Sequence, residues 1–515
     1  MKKDVWKFKR FTPTVRLMNI YANNFIVLLN EREAQTYDIY AGSRVLVRYK
    51  GKEIVAVVDV GGDNIIKKGE IGVFRSVAEA LELEDNVKVQ VIHMPWPKSL
   101  NYIRKKMDNQ NLNKKEIKEI INDVMSNKLS EAELGAWVSA TYINGLSEEE
   151  VVGLTEAIVE SGEQLHIGKP IIADKHCIGG VANNRTTMII VPILAALNVY
   201  IPKTSSRAIT SAAGTADTME VLADVDFSIN ELKEIVLKTH GAIVWGGGLN
   251  LASADDKLIK VRRPLHLDPA GMLLASILAK KKAVEANRVL IDIPVGLGAK
   301  ITDLEKAKML AEQFIRIGRR LKMKIEAIIT DGSEPIGRGV GPILEARDVL
   351  EVLNNRGPVD LKNKGLMMAG KLLEMVGKAK KGEGFALAKR TLESGKALAK
   401  MREIIEMQGG DPTVRVEDLL PGEYRYDVEA QKDGRISHID NRKLSQIARI
   451  AGSPMDKGAG VYLWKKKGDR VKKGDKLFTI YAESATKLNY AVKALQYSFP
   501  IEMKNVLLMV VDDHE

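Results

Sequence analysis

Between residues 169 and 345 short apolar runs, "KPIIAD", "ANRVLIDIPVG" and "KIEAIITDGS", alternate with helical stretches. That alternation implies a mainly parallel sheet with helices packed on it, and ligands of such a sheet bind beyond the carboxyl ends of its strands. One strand end stands out. In "PIIADKHCIGGVANNRTTMIIVPILAAL", residues 170–197, an apolar strand runs into a basic, glycine-bearing turn and then into a long apolar helix. Lys175 and His176 sit where the strand ends. Gly179 and Gly180 let the backbone come close to a ligand, and the helix that follows points its N–H groups back at the same spot. Such a turn suits an anion, although a lone Gly-Gly is also common in ordinary strand-to-helix loops.

The rest of the chain divides around this segment. Residues 1–95 read as a strand-rich extension. "DIYAGSRVLVRY" and "LELEDNVKVQVI" share a polar lead-in followed by alternating apolar residues, as a small barrel built from a duplicated half requires. Its strand edges, which need covering, suggest a part in subunit assembly. "PWPKSL" breaks the pattern at 95–100. Residues 100–168 read as a helical domain, with Ser130 and Ser147 heading capping boxes and Gly145 and Gly162 at helix ends. Residues 169–408 form the α/β domain. Within it, a helical stretch at 346–408 either returns to the helical domain or packs on the sheet. Residues 412–515 form an α+β domain in which "GVYLWKKKGDRVKKGDKLFTIYAE" reads as a hairpin like that of biotin- or lipoate-carrying folds. It lacks the modifiable lysine at a turn tip, so it reads as a structural copy. The expected fold is therefore multidomain α/β: an N-terminal β-barrel-like domain, a helical domain, a mainly parallel-sheet domain and a C-terminal barrel-sandwich-like domain.

Composition narrows the function. With 515 residues, 45% of them hydrophobic, the chain has ample material for several cores and reads as globular and soluble. No signal peptide opens it, and the apolar run from Met188 to Ile201 is short for a membrane span and contains Pro192. A single cysteine, Cys177, excludes a disulfide framework, and the histidines lack metal-ligand spacing; a reducing cytoplasm, no metal and no cofactor are expected. The net charge of +11 fits phosphorylated small ligands better than nucleic acid, because Lys and Glu are interspersed and no nucleic-acid-binding motif is present.

The stretch "SSRAITSAAGTADTMEVL", residues 205–222, resembles the signature of the thymidine and pyrimidine-nucleoside phosphorylase family. Ser205, Ser206, Arg207, Ala208, Ile209, Gly214, Thr215, Asp217 and Glu220 fill its places, and Met219 stands where the family has Leu, Ile or Val. The family also writes Lys-His-Ser-x-Gly-Gly-Val where this chain has Lys175 to Val181, with Cys177 at the serine position. The likeness continues through "DDKLIKVRR", "LLASILAKK", "LIDIPVGLGAK" and "AIITDGSEPIGRGVG". With its extension at 1–90, the chain resembles a subgroup of that family, the archaeal AMP phosphorylases.

The resemblance implies attack by inorganic phosphate on C1′ of a nucleoside 5′-monophosphate while the base leaves. Partners are then AMP or other nucleoside monophosphates and phosphate, in a homodimer or larger homo-oligomer, with no nucleic acid and no membrane. Phosphate would be held by Lys175, Gly179 and Thr186. Substrate would be held by Gly180, Ser206, Arg207, Ala208, Ile209, Thr210, Ser211, Thr215, Ser276 and Lys300. Asn183 replaces an acidic residue common in the nucleoside enzymes, which suits a substrate carrying its own phosphate. Arg185, Arg263 and Lys280 are further candidates, Arg185 being equally well a solvent-facing helix residue.

A leaving purine needs a proton. Asp268, in the stretch that faces the base in this family, is the expected donor, with His176 as rival and a helix N-cap as Asp268's alternative role. Ser276 and Lys280, four apart, share a helix face toward the base. Cys177 beside His176 imitates a thiolate nucleophile but occupies the family's serine position. The glycines of "VWGGGLN" allow close packing or a hinge.

The main alternative is a pyrimidine-nucleoside phosphorylase with an added domain. A non-catalytic carrier is disfavoured by the motifs. Anthranilate phosphoribosyltransferase, of related fold, would need acidic magnesium ligands and lacks the 205–220 signature.

Overall fold

The computed structural model describes residues 10–22, 24–208 and 211–504. The candidate residues Ile209 and Thr210 lie outside the described residues. Contacts divide the chain into two compact units, Met1–Gly162 with Ala252–Ala279, and Glu163–Leu251 with Lys280–Glu515.

In the first unit, two strand–helix–strand units build the N-terminal barrel. Strand Ile26–Asn30, helix Glu31–Thr36 and strand Arg44–Tyr49 are repeated as strand Glu70–Phe74, helix Arg75–Leu81 and strand Gln90–Met94. Equivalent strands pair with one another antiparallel, Leu28 opposite Gly72 and Leu46 opposite Ile92, so a local two-fold relates the halves. Each first strand also takes a parallel neighbour, Lys52–Gly61 on one side and Thr14–Met18 on the other. Alternation drives the burial: Val45 and Val47 are wholly buried while Arg48 is exposed. The ring closes through Val15 N to Val87 O at 2.7 Å and Val89 N to Pro13 O at 3.1 Å. The unpaired edges from which the sequence suggested an assembly role are therefore largely satisfied within the barrel itself, and that argument for assembly falls.

The barrel is tied to the helical bundle through Arg44, whose guanidinium donates to the Lys128 carbonyl and to Glu133. Helices Glu131–Asn144 and Glu148–Glu160 start where their chemistry dictates. Ser130 Oγ accepts from Glu133 N while Glu133 Oε2 accepts from Ser130 N, and Ser147 with Glu150 repeats the arrangement. Glu150 is fully buried, held at 2.9 Å by Lys106 Nζ and by Leu112 N. Residues 252–279, within the stretch read as the α/β domain over 169–408, group with the first unit by their contacts. Helices Ser253–Leu265 and Ala270–Lys282 are reached from the α/β sequence, yet 252–279 pack with the bundle: Gly271 leaves room for Leu146, and Lys257 Nζ donates to the carbonyls of Val124 and Met125.

The second unit is built on five parallel strands in the order Gly241–Trp245, Ile201–Ser205, Ala173–Cys177, Arg288–Val295, Lys324–Asp331. The two segments of this sheet join where Ala173 N donates to Tyr200 O at 2.8 Å. Helix Thr187–Ala196 is apolar all round because it is enclosed on all sides. Helices Pro342–Leu353, Val359–Met375 and Lys396–Met407 pack about it in one core. The 346–408 stretch thus lies on the sheet domain.

Two small antiparallel sheets around helix Asn441–Ile450 make up the C-terminal part. The expected hairpin is split between them. Gly460–Leu463 pairs with Lys476–Ala482, while Arg470–Val471, between them in sequence, pairs with Gly434–Arg435 in the other sheet. Among the described residues, no helix is long and apolar enough to cross a membrane.

Candidate active site

Strand Ala173–Cys177 ends at the anion-suited turn, and its side chains are held by buried charge. Lys175 Nζ donates to Thr186 Oγ1 at 2.9 Å and lies 3.9 Å from Asp292 Oδ2. Asp292, wholly buried on the next strand, also accepts from Thr330 Oγ1 at 2.7 Å and from Asn184 Nδ2 at 3.2 Å. Burial favours its neutral form, but the Lys175 and Lys364 ammonium groups and these hydrogen bonds prevail and hold it below the usual carboxylate range. Lys175, also buried, is pulled down in pKa by desolvation.

The glycines of the turn are required by position. Gly179 and Gly180 have φ of +94° and +95°, and a Cβ on Gly180 would sit 2.6 Å from Lys300 N. The 299–300 backbone therefore lies directly against the turn, and the Lys300 side chain passes beside Gly179. Cys177 accepts from Asn184 Nδ2 at 3.1 Å, and burial together with Asp292 pushes its thiol up to about 11. A thiol so placed is not a ready thiolate, and the nucleophile reading fails.

His176 stands in a field of cations. Burial and then Lys281, Lys203, Lys175 and Lys280 depress its pKa well below the ordinary value, so the imidazole is neutral near pH 7. Lys203 and Lys281 face Asp174, the former at 3.6 Å.

The signature loop is a second built structure. Arg207 makes a two-pronged pair with Glu220 at 2.6 and 2.5 Å, and its guanidinium stacks on Trp245 at 4.9 Å. Asp217 Oδ2 accepts from the backbone of Ala208 at 2.7 Å and of Gly214 at 2.8 Å. The acidic residues of the signature therefore shape the loop that presents Ser206, Arg207 and Ala208. Ser206 is exposed, and Ser211 Oγ donates to Ala213 O at 2.9 Å. The neighbouring glycines favour the packing alternative: a Cβ on Gly247 would meet the Trp245 ring at 2.7 Å, and one on Gly248 would strike the Asp226 carboxylate.

Arg185 is not the solvent-facing residue its helical neighbourhood allowed. It is buried and donates to Glu345, to Thr215 Oγ1 at 2.7 Å and to Ala213 O at 2.7 Å. Because the Thr215 hydroxyl accepts from Arg185, its own proton is left to donate elsewhere. Asn183 donates to buried Asp348 at 2.6 Å, a structural role.

In the first unit, Ser276 Oγ donates to Asp255 Oδ2 at 2.6 Å, and Arg262 lies 3.5 Å from Asp255 and 3.9 Å from Asp268. Asp268 is 59% exposed in its side chain, two residues before helix Ala270–Lys282. Arg263 is exposed. Sequence reasoning missed Asp255, Arg262, Asp292, Asn184 and Lys364. The signal for Asp292 was available: one ionisable residue in the otherwise apolar run "VLIDIPV" demands a buried partner.

Comparison with known proteins agrees with this architecture. Three family models match: the helical bundle domain of a glycosyl transferase family over residues 100–162, its a/b domain over 169–398, and the pyrimidine nucleoside phosphorylase C-terminal domain over 435–502. An AMP phosphorylase of Pyrococcus furiosus is 46% identical over 500 residues, covering 97% of this chain and 99% of its own. AMP phosphorylase 1 of Archaeoglobus fulgidus is 45% identical, covering 95% of this chain and 97% of its own, and that of Methanosarcina mazei is 46% identical, covering 95% and 96%. Among solved structures, anthranilate phosphoribosyltransferase from Thermus thermophilus matches with a TM-score of 0.51 at 18% identity, covering 60% of this chain and 99% of that one, a likeness of fold alone. Related at such identity along nearly the full length of both chains, this chain belongs to the AMP phosphorylase family.

Proposed function

We propose that this chain catalyses phosphorolysis of AMP, giving adenine and ribose 1,5-bisphosphate. A phosphate oxygen bonds to C1′ as the bond from C1′ to the base nitrogen breaks, and the base leaves with a proton. The observation that carries this reading is the turn at 175–186. A buried lysine, two glycines with positive φ and a helix start converge there in a chain whose full-length relatives are AMP phosphorylases.

Lys175, Gly179 and Thr186 hold the phosphate. Gly180, Ser206, Arg207, Ala208, Ser211, Thr215 and Lys300 hold the ribose phosphate, and Thr215's available proton supports its share. In the first unit, Ser276 and Asp268 serve the base, Asp268 as proton donor, and Asp255 orients Ser276. Neutral His176 acts as a hydrogen-bonding group. The same reading takes the protein to be a cytoplasmic homo-oligomer, and sedimentation of the purified protein checks the oligomer.

The deciding assay follows phosphate-dependent release of free base from AMP, CMP and UMP beside the matching nucleosides. AMP is favoured over adenosine. Equal or better use of nucleosides would move the chain to the pyrimidine-nucleoside phosphorylase reading.

A further inference from the structure

The Asp292 carboxylate has two lysines and not one. Lys364, on helix Val359–Met375, comes within 3.3 Å of Oδ2, the oxygen that also faces Lys175. The Lys364 side chain is nine-tenths buried, and its ammonium makes no hydrogen bond among the described residues beyond this ion pair. Two ammonium groups thus share one buried carboxylate, which leaves an excess of positive charge at the turn. Asp331 also senses Lys364, but that carboxylate is exposed and its pull is screened by solvent. Of the other charged neighbours, Arg185 is matched by Glu345, and Glu334 and Asp360, which line the same cavity as Lys364, are matched by Lys467 and Lys466.

We propose that Lys364 is a positioning residue for inorganic phosphate: by compensating Asp292 it leaves the Lys175 charge free for the anion. This rests on reading 175–186 as the phosphate-accepting turn. Without Lys364, Asp292 and Lys175 neutralise each other and the turn offers hydrogen bonds but no net charge. A dianion gains most of its binding from charge-assisted contacts in so dry a site, so the loss falls on phosphate and spares AMP.

The test measures adenine release by the full chain, varying phosphate at saturating AMP and then AMP at saturating phosphate. Lys364→Met is expected to raise the KM for phosphate by about tenfold or more, the effect of losing one such contact, with the KM for AMP changed by less than about twofold. Lys364→Arg keeps the charge, and the cavity of about 430 Å³ that Lys364 lines with Thr330, Ile336 and Met367 admits the larger group. It should hold the phosphate KM within about threefold of wild type. The decisive variant is Lys364→Met with Asp292→Asn, which removes one charge of each sign and restores the excess on Lys175; it should recover most of the phosphate affinity lost in Lys364→Met.

An unchanged phosphate KM in Lys364→Met overturns the proposal. So does an equal rise for both substrates, or a double variant no better than the single. Should the single variant not fold, the double variant decides alone: a phosphate KM near wild type supports the charge argument and a tenfold rise refutes it. If the wild type releases adenine without phosphate, the reading of the turn itself fails and the proposal with it.

Discussion

Arg185→Leu separates a charge that braces the fold from one that binds substrate. Arg185 is the counter-charge of Glu345, a carboxylate buried to 1% exposure whose other donors are Thr218 Oγ1 at 3.1 Å and Gly341 N at 3.3 Å. Burial already raises the Glu345 pKa despite Arg185. Without the arginine, the carboxyl escapes its unpaired state by taking a proton. At pH 7, neutralising a group with a reference value of 4.5 costs roughly 3 kcal/mol at 1.36 kcal/mol per unit. The Ala213 carbonyl and Thr215 hydroxyl also lose a donor, at about 1 kcal/mol or more. A total of about 4 kcal/mol agrees with the range for breaking a buried pair. Denaturant midpoints give the assay, with Arg185→Leu/Glu345→Leu as the control that leaves no buried charge and should regain most of the loss. The pH dependence has a definite sign. A carboxyl with a raised folded pKa contributes stability that is complete below its unfolded value and is lost as pH rises through the folded one. The deficit should therefore shrink as pH falls from 7 towards 4.5. A deficit that ignores pH, or that Glu345→Leu fails to relieve, would refute the assignment.

The same arginine shows why some of the site was legible and some was not. Local rules specify short-range structure: the Ser130 and Ser147 caps, the glycine turn and the alternation of strands and helices each depend on residues a few positions apart. The strand-to-helix turn could be found because its chemistry is contiguous. The partners of Arg185 lie 28 to 160 positions away, and those of Asp292 lie on three separate elements. Nothing local distinguishes an arginine that will be buried against a distant glutamate from one that will face water. That residues 252–279 pack with the bundle was hidden for the same reason. Helix Ser253–Leu265 obeys the helical period and Ala270–Lys282 is apolar over most of its length, but which core receives them is decided by shapes such as Leu146 against Gly271. The C-terminal hairpin reading pairs the right two strands, Gly460–Leu463 and Lys476–Ala482, but misses the diversion of Arg470–Val471 to the other sheet, because that strand is only two residues long and so short a segment carries no period.

Glu220→Gln removes the anchor of Arg207 and the partner of Lys457. The hydrogen bond from Arg207, and then that from Lys457, hold Glu220 down to about 2, so its contribution is present above the unfolded value of 4.5 and is lost as pH falls through about 2. The variant's deficit in denaturant midpoint at pH 7 should vanish between pH 4.5 and 2; a constant deficit means the pair is not what stabilises. Cys177→Ser keeps an acceptor for Asn184 and removes the thiol, so turnover should stay within about tenfold, whereas a loss of a nucleophile's magnitude, on the order of 10⁴-fold or more, would revive covalent chemistry. Asp268→Asn tests the proton donor. Asn serves as well as Asp at a helix N-cap, so the substitution preserves any capping of helix Ala270–Lys282 while abolishing the acid. A general acid contributes about 10²–10⁴-fold, and turnover should drop by that much with the KM for AMP little changed. His176→Ala is the comparison. A histidine held neutral by burial and four lysines carries no acidic proton to give at pH 7, so its removal should weaken substrate handling and leave the pH–rate profile's shape intact. Near-normal turnover in Asp268→Asn, with loss of the protonation step in His176→Ala, would reverse the two roles.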